Sequence, residues 1–346
     1  MALLTTRRRL LFQTLAATSP ILPIRAEEAA PGPAEGKPQY SAATRPKIGL
    51  TEMMTRVTTK IEIYDEHWNG SIGTCFQFTF FESQGTGLHA LVTDKHVIMP
   101  EPNYVPKSAF ITVTLATSDN KPDYGRELRL EIPRLAEKWI PHPNPTIDLA
   151  IIPVNEIMAS QANIGQPIFQ VNLNQVHIPS DDEIKRLSAI EDLIIIGYPI
   201  GISDEVNNVP VIRRGTTATP PFLDFNGNRD FLVDAPIFEG SSGSPVFLFR
   251  RGAWVDDLTN QPKIGTDMRL LGVIWGNITQ NVTAKKRDFT PIPTQLRDDY
   301  VTQVPTNLGI AVKSQQILEF EPVLMKLGVK PPKDYVVRAS LTGGPP

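Results

Sequence analysis

Short apolar or alternating runs, each closed off by turn residues, succeed one another from about Lys47 to residue 165. They are Val57–Ile63, Gly73–Phe81, His89–Thr93, Ala109–Leu115, Glu127–Ile132 and Leu149–Pro153, with residues 164–172 as a further candidate. Strand side chains alternate between two faces, so runs of this length and spacing predict an all-β sandwich or barrel. Residues 180–192 (SDDEIKRLSAIED) break the pattern. Ser180 and Asp181 can cap a helix, acids fill its first turn, and Ile184, Leu187 and Ile190 share one face. This segment is expected to be a helix, or helical linker, between two β halves. The β pattern resumes at Leu193–Ile196, Pro210–Thr217, Phe231–Val233, Pro245–Phe249, Leu270–Ile274 and Gly309–Val312. A C-terminal helix is expected over Gln315–Phe320, continuing past Pro322 to about Leu327, with Gly328 to end it.

The 346 residues carry a formal net charge of -3, with 41% hydrophobic and 21% charged residues. That is the composition of a soluble globular protein, and the balance provides no electrostatic footprint for nucleic acid or an anionic membrane. The one cysteine, Cys75, excludes an intrachain disulfide and a Cys-based zinc site. It lies in an alternating run and reads as a buried structural thiol. At the N-terminus, Arg7-Arg8-Arg9 precedes a short apolar stretch from Leu10 to Ile24, and Ala26 could precede a cleavage point. Residues 1–26 are therefore expected to be a bacterial export signal, Sec-type or twin-arginine; a disordered tail or an Arg-rich transit peptide are the alternatives. Pro20 and Pro23 interrupt a stretch already too short to span a membrane, so no stable membrane insertion is expected. Residues 27–46, rich in Ala, Pro, Gly and Glu, read as a disordered linker, and residues 329–346 as a disordered Pro-rich tail.

Three segments carry the residue types of nucleophilic catalysis. In Leu91–Ile98 an apolar strand runs into His96 and straight back into apolar residues, which gives an imidazole a fixed backbone and partial shelter, as a general base requires. In Thr146–Pro153 a lone carboxylate, Asp148, opens an apolar strand. A buried Asp needs a partner, and an imidazole N–H would be one. In Glu239–Phe247 the small residues of GSSGS allow a tight turn that can expose one hydroxyl and aim backbone N–H groups at one point. His96 and Asp148 are about 50 positions apart, and Asp148 and Ser242 about 95, so base and orienter fall in the first β half and the nucleophile in the second.

The segments VTDKHVI, TIDLAIIPV and GSSGSPVF, in the order His, Asp, Ser, resemble the three signature segments of the trypsin/chymotrypsin-like serine peptidases. The likeness is greatest to the bacterial Deg/HtrA-like and glutamyl-endopeptidase-like branches. Ile194–Pro199, Val273–Gly276 and Asn307–Val312 resemble three further family segments, so the likeness covers roughly residues 48–325. It implies two six-stranded antiparallel β-barrels with a short inter-barrel helix and a C-terminal helix. The peptidase domain would span 47–328, with barrels at about 47–178 and 193–313 and the helix at 314–328. It implies His96, Asp148 and Ser242 as the triad, the N–H groups of Gly240 and Ser242 as the oxyanion hole, and a protein or peptide substrate laid along the backbone of Ile274, Trp275 and Gly276. No cofactor and no metal are implied.

The departures concern specificity and activation. Ser241 stands where the digestive members place the Asp that pairs with a new N-terminus. Pro236 stands where trypsin-like members place the acid that binds a basic side chain, and Ile274 and Ile237 stand where glutamyl-specific members use His and Thr. An apolar pocket of Ile237, Ile274 and the Gly309 strand is expected to favour small or medium aliphatic residues at P1, the residue before the scissile bond. Residues 277–306 are expected to be a long loop, either functional or a plain surface insertion. No PDZ-like module is expected after the C-terminal helix. His67, His89, His142 and His177 have no metal-ligand spacing and are expected at the surface or in loops. The sequons at Asn69, Asn277 and Asn281 are expected to be chance matches. A fold kept for binding or scaffolding without turnover is the alternative from another functional class; a viral-type processing protease fits the export signal poorly.

Overall fold

The computed structural model describes residues 47–284, 300–333 and 335–336, with residues 280–284 and 300–305 described through their backbone pairing. The export signal and linker read from residues 1–46 lie outside the described residues, as do 285–299, 334 and 337–346.

Two antiparallel sheets of seven strands form the molecule. The first contains β1 Thr58–Tyr64, β2 Gly70–Ser83, β3 Thr86–Thr93, β4 Ser108–Ala116, β5 Pro122–Pro133, β6 Ile140–Pro141 and β7 Ala150–Pro153, in the order β5-β4-β1-β2-β3-β7-β6. The second contains β8 Asp192–Gly197, β9 Ser203–Asp204, β10 Val209–Thr217, β11 Asp230–Asp234, β12 Pro245–Asp256, β13 Gln261–Ala284 and β14 Tyr300–Lys313, in the order β11-β14-β13-β12-β8-β10-β9. A further pairing of β10 with β11, Thr217 opposite Val233, returns the second sheet on itself. This is the all-β, two-barrel architecture expected from the sequence. Two-residue strands, β6 and β9, bring each sheet from the expected six strands to seven.

Strand β2 shows why the halves stay together. Nine consecutive residues, 73–81, are buried. Because successive side chains point to opposite faces, Cys75 enters the core of the first sheet, while Phe76, Phe78 and Phe80 enter the core shared with Phe247 and Val273 of the second. Ile317, Phe320 and Leu324 of the C-terminal helices Gln315–Leu318 and Phe320–Lys326 close that shared core. Burying each such aromatic or aliphatic side chain contributes about 1.5–3 kcal/mol. Gly328, at φ 99°, ends the second of these helices where the sequence places its stop.

Several segments differ from expectation. The helix expected over 180–192 stops after Asp181–Ile184, although Ser180 and Glu183 form the expected capping box. Downstream, Glu191 is drawn into the second barrel: its N–H donates to Thr217 Oγ1 at 2.9 Å and its carboxylate pairs with Arg250. Ile190 is left 75% exposed, so the third member of the apolar face has nothing to bury against. Residues 277–306 are no structureless loop at their ends, because β13 and β14 pair from Gly272–Lys313 out to Ala284–Tyr300. Residues 164–172 form no strand; Leu115 makes a single bridge to Ile168. The helix Asn155–Asn163 was not foreseen. The start of the C-terminal tail is packed: Tyr335 meets Phe81 edge-on at 5.3 Å, and its hydroxyl donates to Gln175 Oε1 at 2.9 Å. His142, expected at the surface or in a loop, lies in the loop after β6 but is buried there and bonded to the Gln316 carbonyl.

Candidate active site

His96 sits in the one-turn helix Lys95–Ile98, which leaves directly from the end of β3. Val97 and Ile98 are buried in the first core and hold that turn in place. Asp148 precedes β7, and β7 pairs with β3 with Ala150 opposite Thr93, which brings residue 148 alongside residue 96. Lys95 reinforces the approach, its Nζ donating to the carbonyls of Asn144 and Pro145 at 3.0 and 3.4 Å. Ser242 comes from the turn before β12.

These elements bring together the three residues singled out from the sequence. His96 Nδ1 lies 2.6 Å from Asp148 Oδ2, and His96 Nε2 lies 2.8 Å from Ser242 Oγ. The backbone N–H of His96 also donates to Asp148 Oδ1 at 3.2 Å, so the carboxylate grips ring and main chain together. The His96 side chain is 42% exposed and that of Asp148 23%, so the group opens to solvent on the imidazole side. With the Asp148 carboxylate accepting the Nδ1 proton, Nε2 is the basic nitrogen that faces the hydroxyl. The arrangement can take a proton from Ser242 and return it to another atom.

The turn itself is held by glycines and by the opposite barrel. Gly240 and Gly243 have φ of 81° and 86°, the left-handed region where a side chain is strained. A Cβ at Gly243 would stand 1.9 Å from the Thr74 carbonyl, and one at Gly240 would stand 2.5 Å from the Tyr198 carbonyl. Thr74, fully buried in β2, clamps the turn: its Oγ1 donates to the Gly240 carbonyl at 2.8 Å, and its N–H donates to the Ser242 carbonyl at 2.8 Å. Ser241, in place of an acid, is buried and accepts a long 3.4 Å bond from the Phe238 N–H.

The Gly240 and Ser242 N–H groups donate no hydrogen bond to any of the described residues. The Gly240 amide is nevertheless oriented. The Ile200 N–H donates to the Glu239 carbonyl at 2.6 Å. In a planar trans peptide the carbonyl and the next N–H point oppositely, so this bond turns the Gly240 N–H away from Ile200. Two unpaired donors on one turn are what a developing oxyanion requires.

The expected substrate-binding residues are partly brought to the site. Ile237 is buried against Gly309, where a Cβ would meet Ile237 Cγ1 at 2.6 Å. Ile274 is fully buried in the second core, and its main chain is already engaged, its carbonyl by Gly243 N–H at 2.7 Å and its N–H by the Ser244 carbonyl at 2.9 Å. The register shift between Ile274 and Gly276 leaves Trp275 without a partner in the ladder to β14, and its indole N–H donates to Asp230 Oδ1 at 3.2 Å. A Cβ on Gly276 would meet nothing closer than 3.8 Å, so the space over that residue is open. Cys75 is fully buried, its thiol donating to the Thr59 carbonyl at 3.4 Å, and burial pushes its pKa far up, which suits an inert thiol. Among the described residues, no three His, Cys, Asp or Glu side chains gather as metal ligands.

The sequence reading missed Thr74, Asp94 and Ile200. Asp94 is visible in the sequence as an acid inside VTDKHVI, two residues before His96. Thr74 and Ile200 act through backbone partners and carry no such signal.

No family model matches this chain, and no curated protein matches it. Among solved structures it is similar to the HtrA-type protease AlgW with a tripeptide, at 14% identity and TM-score 0.39, covering 78% of this chain and 60% of that one. It is similar to the thermostable serine protease AL20 from an extremophilic microorganism, at 12% identity and TM-score 0.43, covering 78% and 98%. It is also similar to the serine endoprotease from Yersinia pestis, at 14% identity and TM-score 0.37, covering 79% and 63%. The chain thus spans less than two thirds of the AlgW and Yersinia chains.

Proposed function

We propose that the protein is a serine endopeptidase of the trypsin/chymotrypsin-like kind, acting on proteins or peptides through an acyl-enzyme. The observation that carries this reading is His96 held between Asp148 and Ser242 at 2.6 and 2.8 Å. Ser242 Oγ attacks the scissile carbonyl as His96 Nε2 takes its proton. Asp148 fixes the imidazole and offsets the charge it acquires. The Gly240 and Ser242 N–H groups receive the oxyanion. The tetrahedral intermediate then expels the amine, which takes the proton from His96, and water attacks the acyl-enzyme by the same route in reverse.

A substrate strand would lie along Trp275 and Gly276, with its P1 side chain toward Ile237 and Gly309. Ile237 narrows that space, which supports small or medium aliphatic P1 residues. Export to the periplasm or medium, resting on the Arg7–Ala26 segment, belongs to the same proposal.

A fluorophosphonate probe tests the reading, because it forms a covalent bond with an activated serine. Labelling of the folded protein that disappears in Ser242→Ala is expected. Absence of labelling, or labelling that survives Ser242→Ala, would move the protein to the alternative class, a fold used for binding.

A further inference from the structure

Directly before the helix that carries His96, Asp94 is 0% exposed, and neither carboxyl oxygen has a hydrogen-bond partner. It holds the N-cap position yet its side chain does not cap the helix. Its carboxyl faces the Gly243 backbone N–H, which donates instead to the Ile274 carbonyl at 2.7 Å. The charged side chain acting on it is Asp148, which has the same sign. Lys95, its chain neighbour, sends its ammonium outward to the Asn144 and Pro145 carbonyls. No cation therefore offsets a charge on Asp94. An isolated carboxylate buried there would cost several kcal/mol, and such a group takes up a proton instead.

We propose that Asp94 is a positioning residue: a carboxylic acid kept neutral beneath the nucleophile turn, facing the Gly243 N–H and leaving Asp148 to carry the negative charge of the site alone. This rests on the peptidase reading above. Burial first, and the Asp148 charge second, push the pKa of Asp94 well above the usual carboxylate range, against the smaller pull of the Gly243 N–H. In the neutral form it offers one O–H donor and one carbonyl acceptor, the same pair that an Asn amide presents in nearly the same shape. If Asp94 ionised, a buried anion would add its charge to that of Asp148 within the site.

The test joins a readout that needs no activity to one that does. An infrared difference spectrum, wild type minus Asp94→Asn at neutral pH, is expected to show the C=O band of a protonated carboxyl. Fluorophosphonate labelling of Asp94→Asn is expected within about twofold of wild type, while Asp94→Ala slows it by about tenfold or more. Wild type should also lose labelling rate at alkaline pH, where Asp94→Asn keeps it. Absence of the protonated band overturns the proposal, and so does an Asp94→Asn protein that is folded but as slow as Asp94→Ala. Should Asp94→Ala fail to fold, the band and the Asp94→Asn pH profile decide. If wild type does not label at all, the peptidase reading and the positioning role fall together, while the band still settles the protonation state.

Discussion

The hydroxyl of Thr74 donates to the carbonyl of Gly240 at 2.8 Å, so a side chain of the first barrel holds the main chain on which the second presents Ser242. The same oxygen accepts from the Tyr198 N–H at 3.0 Å, and the Thr74 carbonyl accepts from Thr93 Oγ1 at 2.8 Å. The distance from His96 to Ser242 spans two sheets. It is set by this buried polar clasp as much as by the shared apolar core.

Thr74→Val keeps the shape of the side chain and removes the hydroxyl. The Gly240 carbonyl and Tyr198 N–H then lose their buried partner, at about 1–3 kcal/mol for each unsatisfied group. A lower urea midpoint is expected, together with slower fluorophosphonate labelling at full folding. A variant as stable and as reactive as wild type would show that the clasp is dispensable.

Ile200 has φ 54° and is 66% exposed, a strained conformation for a β-branched residue with little burial to offset it. Ile200→Gly keeps the N–H that orients Glu239 and relieves the strain. It should leave labelling unchanged and raise stability by up to about 1 kcal/mol. Ile200→Pro removes the N–H and, with φ locked at about −65°, also forces the residue out of its φ of 54°. If that bond aims the Gly240 amide, labelling should fall toward the roughly 10²–10³-fold loss typical of a missing oxyanion donor. Equal labelling in the two variants would separate Ile200 from the oxyanion site.

The sequence carries much of the site because its chemistry was written in contiguous segments. His96 and Asp148 stand at the ends of apolar strands and Ser242 in a turn of small residues, each a polar group that needs a reason to be there. The strands were legible as well: β1 alternates buried and half-buried residues from Lys60 on, while β4 and β7 carry short apolar runs that are mostly buried. What stayed hidden depends on partners far along the chain. Thr74 reads as one more strand residue until Gly240, 166 positions away, comes against it. The helix expected through Ile190 obeys local rules, but Arg250 and Thr217 pull Glu191 out of it. The outer halves of β13 and β14 look like loop because they pair with each other and mix polar residues and Pro305 among a few apolar ones.

On the proposed substrate path the P1 side chain enters beside Ile237, which packs against Gly309. Ile237→Ala would open that space, and its core loss would cost about 2–5 kcal/mol. A peptide library varied at P1 should show wild type cleaving best after Ala or Val, and the variant shifting toward Leu or Phe. Strongest cleavage by wild type after Lys, Arg or Glu would refute the apolar pocket.

His142 ties the C-terminal helix to the loop that carries Asp148, its Nε2 donating to the Gln316 carbonyl at 3.0 Å while its Nδ1 accepts from the Asn144 N–H at 3.2 Å. Both bonds suit the neutral ring; a proton on Nδ1 would meet both the Asn144 N–H at 3.2 Å and the Asn144 carbonyl at 3.4 Å. Burial holds its pKa below the ordinary 6.5, although the Gln316 carbonyl and Glu319 pull the other way. The unfolded chain therefore takes up a proton near pH 6.5 while the folded one does not, so stability is lost as pH falls from there toward the folded pKa. His89 and His177 are lowered by burial too and add to the same slope. His142→Gln can still donate to Gln316 but cannot take up the proton. Its urea midpoint should fall less between pH 7 and pH 5 than that of wild type, with His89 and His177 supplying the remaining slope. An equal fall in both proteins would remove His142 from the acid response of the Asp148 loop.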